Sequence, residues 1–250
     1  MWSFGMAELA ACMAIVFVAG IVRGWSGFAF AIVSGAGLTL LLPPQVFVPV
    51  VLVIELALGL QLVPRELKNT AWPVISPMVV SAAAGTVIGI IMLQSLPVLL
   101  CKMLLGAAIL GSTLTMLAAP QLTLGPARWM PLAAGSLSGF MNGAFAMGGP
   151  PAVLFLSARL PDAPRLRGSI ILYFFVIDIL ALGYLGATGG LGSQILLQSA
   201  ILLPASLLGV EVGKRVYERI APERFRPTLL TGLAVIGFIL TASAARQLIG

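Results

Sequence analysis

Ten apolar runs follow one another along the chain, at about 8–22, 27–42, 45–63, 73–93, 97–118, 129–141, 143–157, 168–187, 193–213 and 226–248. The stretches between them that are not strongly apolar, near Pro64–Trp72, Gln121–Trp129, Arg159–Gly168 and Lys214–Pro227, are all of loop length. A helix needs roughly 20 residues, at about 1.5 Å each, to cross a hydrocarbon core of about 30 Å. The short runs within 8–42 and 129–157 cover only about 20–24 Å, so each pair is expected to be a helical hairpin that enters and returns on one side. The expected fold is an all-α polytopic membrane protein with two inverted-topology repeats, each a broken or re-entrant helical hairpin plus three transmembrane helices. It is read as a single membrane transport domain over 1–250, with repeat one at about 8–118 and repeat two at about 129–248.

Composition agrees with that pattern and removes other classes. Hydrophobic residues make up 60% of the chain, charged residues 9%, and the mean hydropathy is +1.10. No large water-facing domain fits. The net charge of +6 does not call for nucleic acid, because the basic residues sit in short loops between apolar runs. If the hairpins re-enter and the loop at 214–226 is cytoplasmic, then Arg65, Lys68, Arg128, Arg159, Arg165, Arg167, Lys214, Arg215, Arg219, Arg224 and Arg226 all lie inside, 11 of the 14 basic residues. The loops near Pro43, Ser95 and Gly190 carry no charge. That is the positive-inside distribution, and it starts the two halves on opposite sides. Every segment crossing, in a ten-span protein, is the alternative. Cys12 and Cys101 both fall in apolar runs and read as core packing rather than a disulfide framework. The first run follows Met1 with no basic n-region and no small-residue cleavage pattern, so a removed signal peptide is not expected.

The runs are interrupted at related places. Residues 19–31, AGIVRGWSGFAFA, and 134–146, AGSLSGFMNGAFA, match at six of thirteen positions at an offset of 115. Further on, Glu55 in VIELALG faces Asp178 in VIDILALG at 123, and Gly85 and Gly89 face Gly209 and Gly213 at 124. The drift asks for an insertion of about eight residues in the loop at 158–168. Those glycines, four apart, read as close helix packing. A duplicated membrane domain with helix breaks at corresponding positions is the pattern of a transporter binding site.

At the breaks, Arg23, Gly24, Trp25, Ser26 and Gly27 stand in one half and Asn142, Gly143, Met147 and Gly148 in the other. Backbone freed inside a bilayer must be satisfied by protein or a wet cavity, and a helix starting after the break aims free N–H groups at the tip. With Arg23 as a cation and Ser26 and Asn142 as hydrogen-bonding groups, these residues form a candidate anion-binding site. On the 115 offset Arg23 faces Ser138 and Gly27 faces Asn142, so the cation comes from one half only. Each residue also has a plainer reading. Arg23 snorkels to an interface, Trp25 anchors there, Asn142 caps a helix, and the Gly148–Pro151 run sets the hairpin's return. Burying Arg23 costs about 2.5–3.5 kcal/mol on insertion scales, which favours a functional role. Glu55 and Asp178 are the acids well inside long runs. They are candidate proton-coupling residues, with pairing to Arg23 as the structural alternative. Glu211 pairs locally with Lys214 or Arg215.

Gly24-Trp25-Ser26-Gly27 also matches the GxSG surroundings of the nucleophile in rhomboid-type intramembrane serine proteases. That chemistry needs a base, and the chain has no histidine. No transition-metal site, nucleotide motif or EF-hand is present in the sequence, so no cofactor or metal is expected. Secondary transport of a small anion leads, with an anion channel as the alternative and a protease behind it. Oligomeric state is not encoded in any pattern here.

The GGPP run at 148–151, the duplicated half and the segment GVEVGKRVYERIAPERFRPTLLTGLAVIGFIL at 209–240 together resemble the TauE/SafE family of membrane permeases. The likeness covers nearly the whole chain. It implies a bacterial inner-membrane transporter of sulfite or organosulfonates, with 23–27 and 142–151 lining the substrate path. The residues themselves lead to the lipid bilayer and, through Glu55 and Asp178, protons as expected partners, and to no expected enzyme activity.

Overall fold

A computed structural model describes residues 5–118 and 127–219. The tenth apolar run, with Arg224 and Arg226, falls outside them. Nine helices are described: α1 (Met6–Ser26), α2 (Phe30–Leu41), α3 (Pro44–Glu66), α4 (Trp72–Ser95), α5 (Val98–Ala118), α6 (Met130–Phe145), α7 (Gly149–Arg159), α8 (Ala163–Ala187) and α9 (Ser193–Glu218). A 3-10 turn, Leu67–Asn69, follows α3. Proline stands at the first or second position of α3, α4, α6, α7 and α8, where its missing N–H would have had no intrahelical partner. Asp162 caps α8 by accepting from the Arg165 amide at 3.1 Å, as an N-cap carboxylate does.

Five helices, α1, α3, α4, α8 and α9, are long and apolar enough to cross a membrane. The segment expected at 8–22 therefore changes character. It runs on as helix to Ser26, 21 residues in all, or about 32 Å. Its partner α2 has 12 residues, and in the second half α6 and α7 have 16 and 11, about 16–24 Å each. The first pair is one span-length helix with a short return, not two short arms.

The two breaks are built alike. After α1, Gly27 takes φ 92°, and its N–H donates to the Arg23 carbonyl at 2.7 Å. After α6, Ala146 takes φ 58°, and its N–H donates to the Asn142 carbonyl at 2.7 Å. Both are left-handed helix terminators, and Ala146 accepts the strain that glycine avoids at Gly27.

Packing repeats between the halves too. α1 lies on α9 and α4 lies on α6, while α3 and α8 pack on each other at the centre. On the first face, Gly20 and Gly24 meet the Ser206 and Val210 carbonyls, and Gly209 and Gly213 meet those of Phe17 and Ile21. On the second, Gly139 and Gly143 meet the carbonyls of Ala82 and Thr86, and Gly85 and Gly89 those of Ser136 and Phe140. Any Cβ at these positions would strike main chain, so small residues are what let the helices approach. These contacts correct the repeat register at the breaks. Gly20 corresponds to Gly139, Gly24 to Gly143 and Gly27 to Ala146, one helical turn on from the match by identity. Arg23 therefore stands where Asn142 stands in the other half, not Ser138.

The ends of the bundle differ in charge. Glu66 at the end of α3 pairs with Arg167 at the start of α8, and the nearby Ala71 amide donates to the Ser169 hydroxyl at 2.9 Å. Lys214 on α9 pairs with Glu211 at 3.2 Å. At the other end, Gln45 donates to the Leu96 carbonyl at 3.1 Å, and Gly190 lies beside Gln94. α3 thus ends where α8 begins, so the two run in opposite directions. Cys12 and Cys101 are free and buried.

Candidate functional site

Arg23 is drawn into the bundle from the last turn of α1 and is fully buried, at 0% exposure. Its Nη1 donates to Glu55 Oε1 at 2.7 Å and to the Phe28 carbonyl at 3.4 Å, and its Nη2 to the Glu55 carbonyl at 3.3 Å. Glu55 lies eleven residues from either end of α3, about 16 Å along the axis each way. The first turn of α2, at Ala31, lies close to its carboxylate, so the helix start after the first break faces an anion that is the protein's own.

The second half makes the corresponding contact without the charge. Asn142 Nδ2 donates to Asp178 Oδ1 at 3.0 Å, with both side chains fully buried. Asn142 Oδ1, Asp178 Oδ2 and Arg23 Nε have no hydrogen-bond partner. Asp178 interacts electrostatically with both Arg23 and Glu55, so four residues from α1, α3, α6 and α8 form one buried polar centre. Tyr173, on α8 before Asp178, is buried with its hydroxyl lacking a partner, and the Ser138 hydroxyl donates to the Gly148 carbonyl at 2.7 Å.

The other expected site residues frame this centre. Ser26 Oγ accepts the Phe28 and Ala29 amides at 3.3 Å each, satisfying backbone that the break leaves free. Its hydroxyl is buried, and no base stands near it among the described hydrogen bonds, which removes the nucleophile reading. Gly24 and Gly143 sit on the helix contacts described above. Trp25 is half-buried with its indole N–H lacking a partner, and lies on a different face of α1 from Arg23. The two breaks touch, since the Phe28 ring lies against Gly149 and the Met147 methyl against Gly35 of α2. Phe28 also stacks on Phe174 at 6.2 Å. Met147 and Phe28 are register equivalents, so each break contributes one apolar side chain to the seam.

Arg167 was expected as a loop charge and is instead 3% exposed inside the bundle. It pairs with Glu66, donates from Nη2 to the Gly24 carbonyl at 2.9 Å, and lies 4.1 Å over the Tyr217 ring. One side chain thereby ties α1, α3, α8 and α9 together beside the first break. Its only sequence signal is its position as the last charge before an apolar run. Its partners Gly24, Glu66 and Tyr217 are remote along the chain. A cavity of about 100 Å³ opens there, lined by Arg65, Glu66, Arg167, Lys214 and Tyr217 among others. A larger cavity of about 430 Å³ has apolar walls from α4 to α7, including Met92, Phe140, Met141 and Phe145. Neither is lined by Arg23, Glu55, Asn142 or Asp178, so the polar centre is closed from both.

A family model described as "Sulfite exporter TauE/SafE" matches residues 12–240. Among curated proteins, the "Probable sulfite/organosulfonate exporter TauE" of Cupriavidus necator is 26% identical over 218 residues, 85% of this chain and 84% of that protein. No solved structure matches the chain.

Proposed function

The chain belongs to the TauE/SafE sulfite exporter family, and we propose that it carries a small sulfur oxyanion, sulfite or an organosulfonate, out through the bacterial inner membrane at the Arg23 centre. It is a multi-pass membrane transporter and not an enzyme. The observation that carries the site assignment is the buried Arg23–Glu55 pair at 2.7 Å. A guanidinium is a planar fork that takes an oxyanion through two parallel N–H bonds, and here an internal carboxylate holds that fork at mid-depth.

The pair sets a mechanism. Substrate anion reaches Arg23 as Glu55 releases it, and Glu55 releases it by taking a proton. For a monoanion, hydrogensulfite or a simple sulfonate, the centre then holds guanidinium, neutral carboxyl and substrate anion, the same total charge as guanidinium and carboxylate. This keeps an uncompensated charge out of a low-dielectric site, where it would be costly. Arg23 Nε, a buried donor without a partner, is a further contact for the anion, while Trp25 stands on another face of α1. Ser26 and Gly27 shape the first tip. Asn142, Gly143, Met147 and Gly148 shape the second. The opposed directions of α3 and α8 support reading the halves as inverted repeats that exchange access around this centre.

Labelled sulfite loaded into proteoliposomes tests the reading. Wild type should saturate and accumulate sulfite against its gradient when a proton gradient is imposed, and Arg23→Ala should do neither. Non-saturating flux that never runs uphill favours a channel. Normal transport by Arg23→Ala rejects the site.

A further inference from the structure

Among the described residues, the buried charges at mid-depth do not balance. Arg23 contributes one positive charge, while Glu55 and Asp178, at 2% and 0% exposure, contribute two negative charges. No other charged side chain reaches this level among the described residues. α2, α4 and α6 carry none, and Lys102 on α5 and Arg159 on α7 lie near helix ends. On α3 and α8, Arg65, Glu66, Arg165 and Arg167 lie at the basic end, with Arg167 committed to Glu66. Glu211 and Lys214 of α9 pair with each other there, and Glu8 of α1 is at the opposite end. Tyr173 is the remaining titratable group beside Asp178.

The repeat register says where the missing charge belongs. Glu55 and Asp178 are equivalent, and so are their partners Arg23 and Asn142. In the first half a guanidinium supplies a full positive charge and donates to the carboxylate and its backbone. In the second, an amide donates one N–H to Asp178 Oδ1, leaving Asp178 Oδ2 and Asn142 Oδ1 as buried oxygens without a protein partner. An unpaired carboxylate is among the most expensive groups to bury, and a free carboxylate oxygen together with a free amide oxygen from its hydrogen-bonded neighbour is a donor set for a hard cation.

We propose that Asp178 and Asn142 form a binding site for a monovalent cation, a proton or a sodium ion, at the position that corresponds to the Arg23 guanidinium in the first half. Proton binding converts the Asp178 carboxylate to a carboxylic acid, whose O–H can donate. Sodium binding leaves it ionised and draws in both oxygens. Either brings the centre to neutrality and gives the carrier a cation separate from the proton on Glu55. The coupling consequence rests on the proposed transport function; the cation site does not.

Thermal unfolding of the purified full-length protein, without sulfite, tests it. Sodium chloride is compared with choline chloride at fixed ionic strength, on either side of neutral pH. The chain has no histidine, and Glu55 is the other buried carboxyl that could respond, which the Asp178→Asn variant separates. A rise in midpoint with sodium at the alkaline pH identifies sodium. A rise on acidification, with no sodium effect, identifies the proton. Asp178→Asn should lose either response and be at least as stable as cation-free wild type at neutral pH. Asn142→Arg, which supplies the guanidinium covalently, should lose it too, and Glu211→Gln on the surface should keep it. A wild-type midpoint indifferent to both cations, or a full response surviving in Asp178→Asn, overturns the proposal. Because sulfite is absent, that failure leaves the anion reading intact. Failure of sulfite to bind a protein with a normal cation response would reject the anion reading alone.

Discussion

Arg23–Glu55 and Asn142–Asp178 are the same contact made twice, once with a guanidinium and once with an amide. Everything that positions the two pairs is shared: a left-handed terminator four residues on, a glycine face that brings α1 onto α9 and α6 onto α4, and a carboxylate inside a long helix. The donor differs most, a charged guanidinium against a neutral amide, and the carboxylates are Glu55 and Asp178. The similar scaffolds thus carry two unlike pairs, one an ion pair and the other leaving a carboxylate oxygen unused. The two ends of the bundle differ in the same way, with Arg167 and Glu66 closing one and the neutral Gln45 the other.

If that division is right, variants of the donors should break the symmetry and variants of the scaffold should respect it. Arg23→Ala should have the largest effect. It leaves Glu55 buried and unpaired, costing about 3–5 kcal/mol in stability, and it abolishes sulfite flux. The double variant Arg23→Ala/Glu55→Gln should regain stability by thermal unfolding but not flux. Gly24→Leu and Gly143→Leu should each lose about 1–3 kcal/mol by overpacking equivalent helix contacts, and to similar extents. Strongly unequal losses would argue against the corrected register. Glu66→Gln removes the ionic partner of Arg167 and should cost about 2 kcal/mol while raising flux through the basic end, read in proteoliposomes. Gly27→Ala should destabilise by about 1 kcal/mol and Ala146→Gly should stabilise by a similar amount, visible as opposite midpoint shifts.

The sequence carried the first nine of its ten apolar segments, the helical class, the matching positions of Glu55 and Asp178, and the presence of two breaks. The register at the breaks was not legible, and the reason is physical. The packing faces place glycine every fourth residue, so a slip of one turn lays glycine on glycine. At 115, Gly20 and Gly24 fall on Gly135 and Gly139; in the contacts they correspond to Gly139 and Gly143. Sequence identity rewards the slipped pairing because Ala and Gly are common throughout, while the residues that carry chemistry, Arg23 and Asn142, are unlike each other. The first break lies a turn later than the sequence pattern suggests, because Arg23 and Gly24 look like the end of a helix until their packing against α9 is seen. The role of Arg167 depends on partners in three other helices, and local pattern holds no record of them.

The central claim is that Glu55 and the substrate anion compete for Arg23. Equilibrium binding of sulfite to purified wild type and Glu55→Gln, followed across pH, tests it most directly. Removing the competing carboxylate should make sulfite bind more tightly and flatten the pH dependence of binding. Affinity that is unchanged or weaker in Glu55→Gln, with the wild-type pH profile retained, would contradict it.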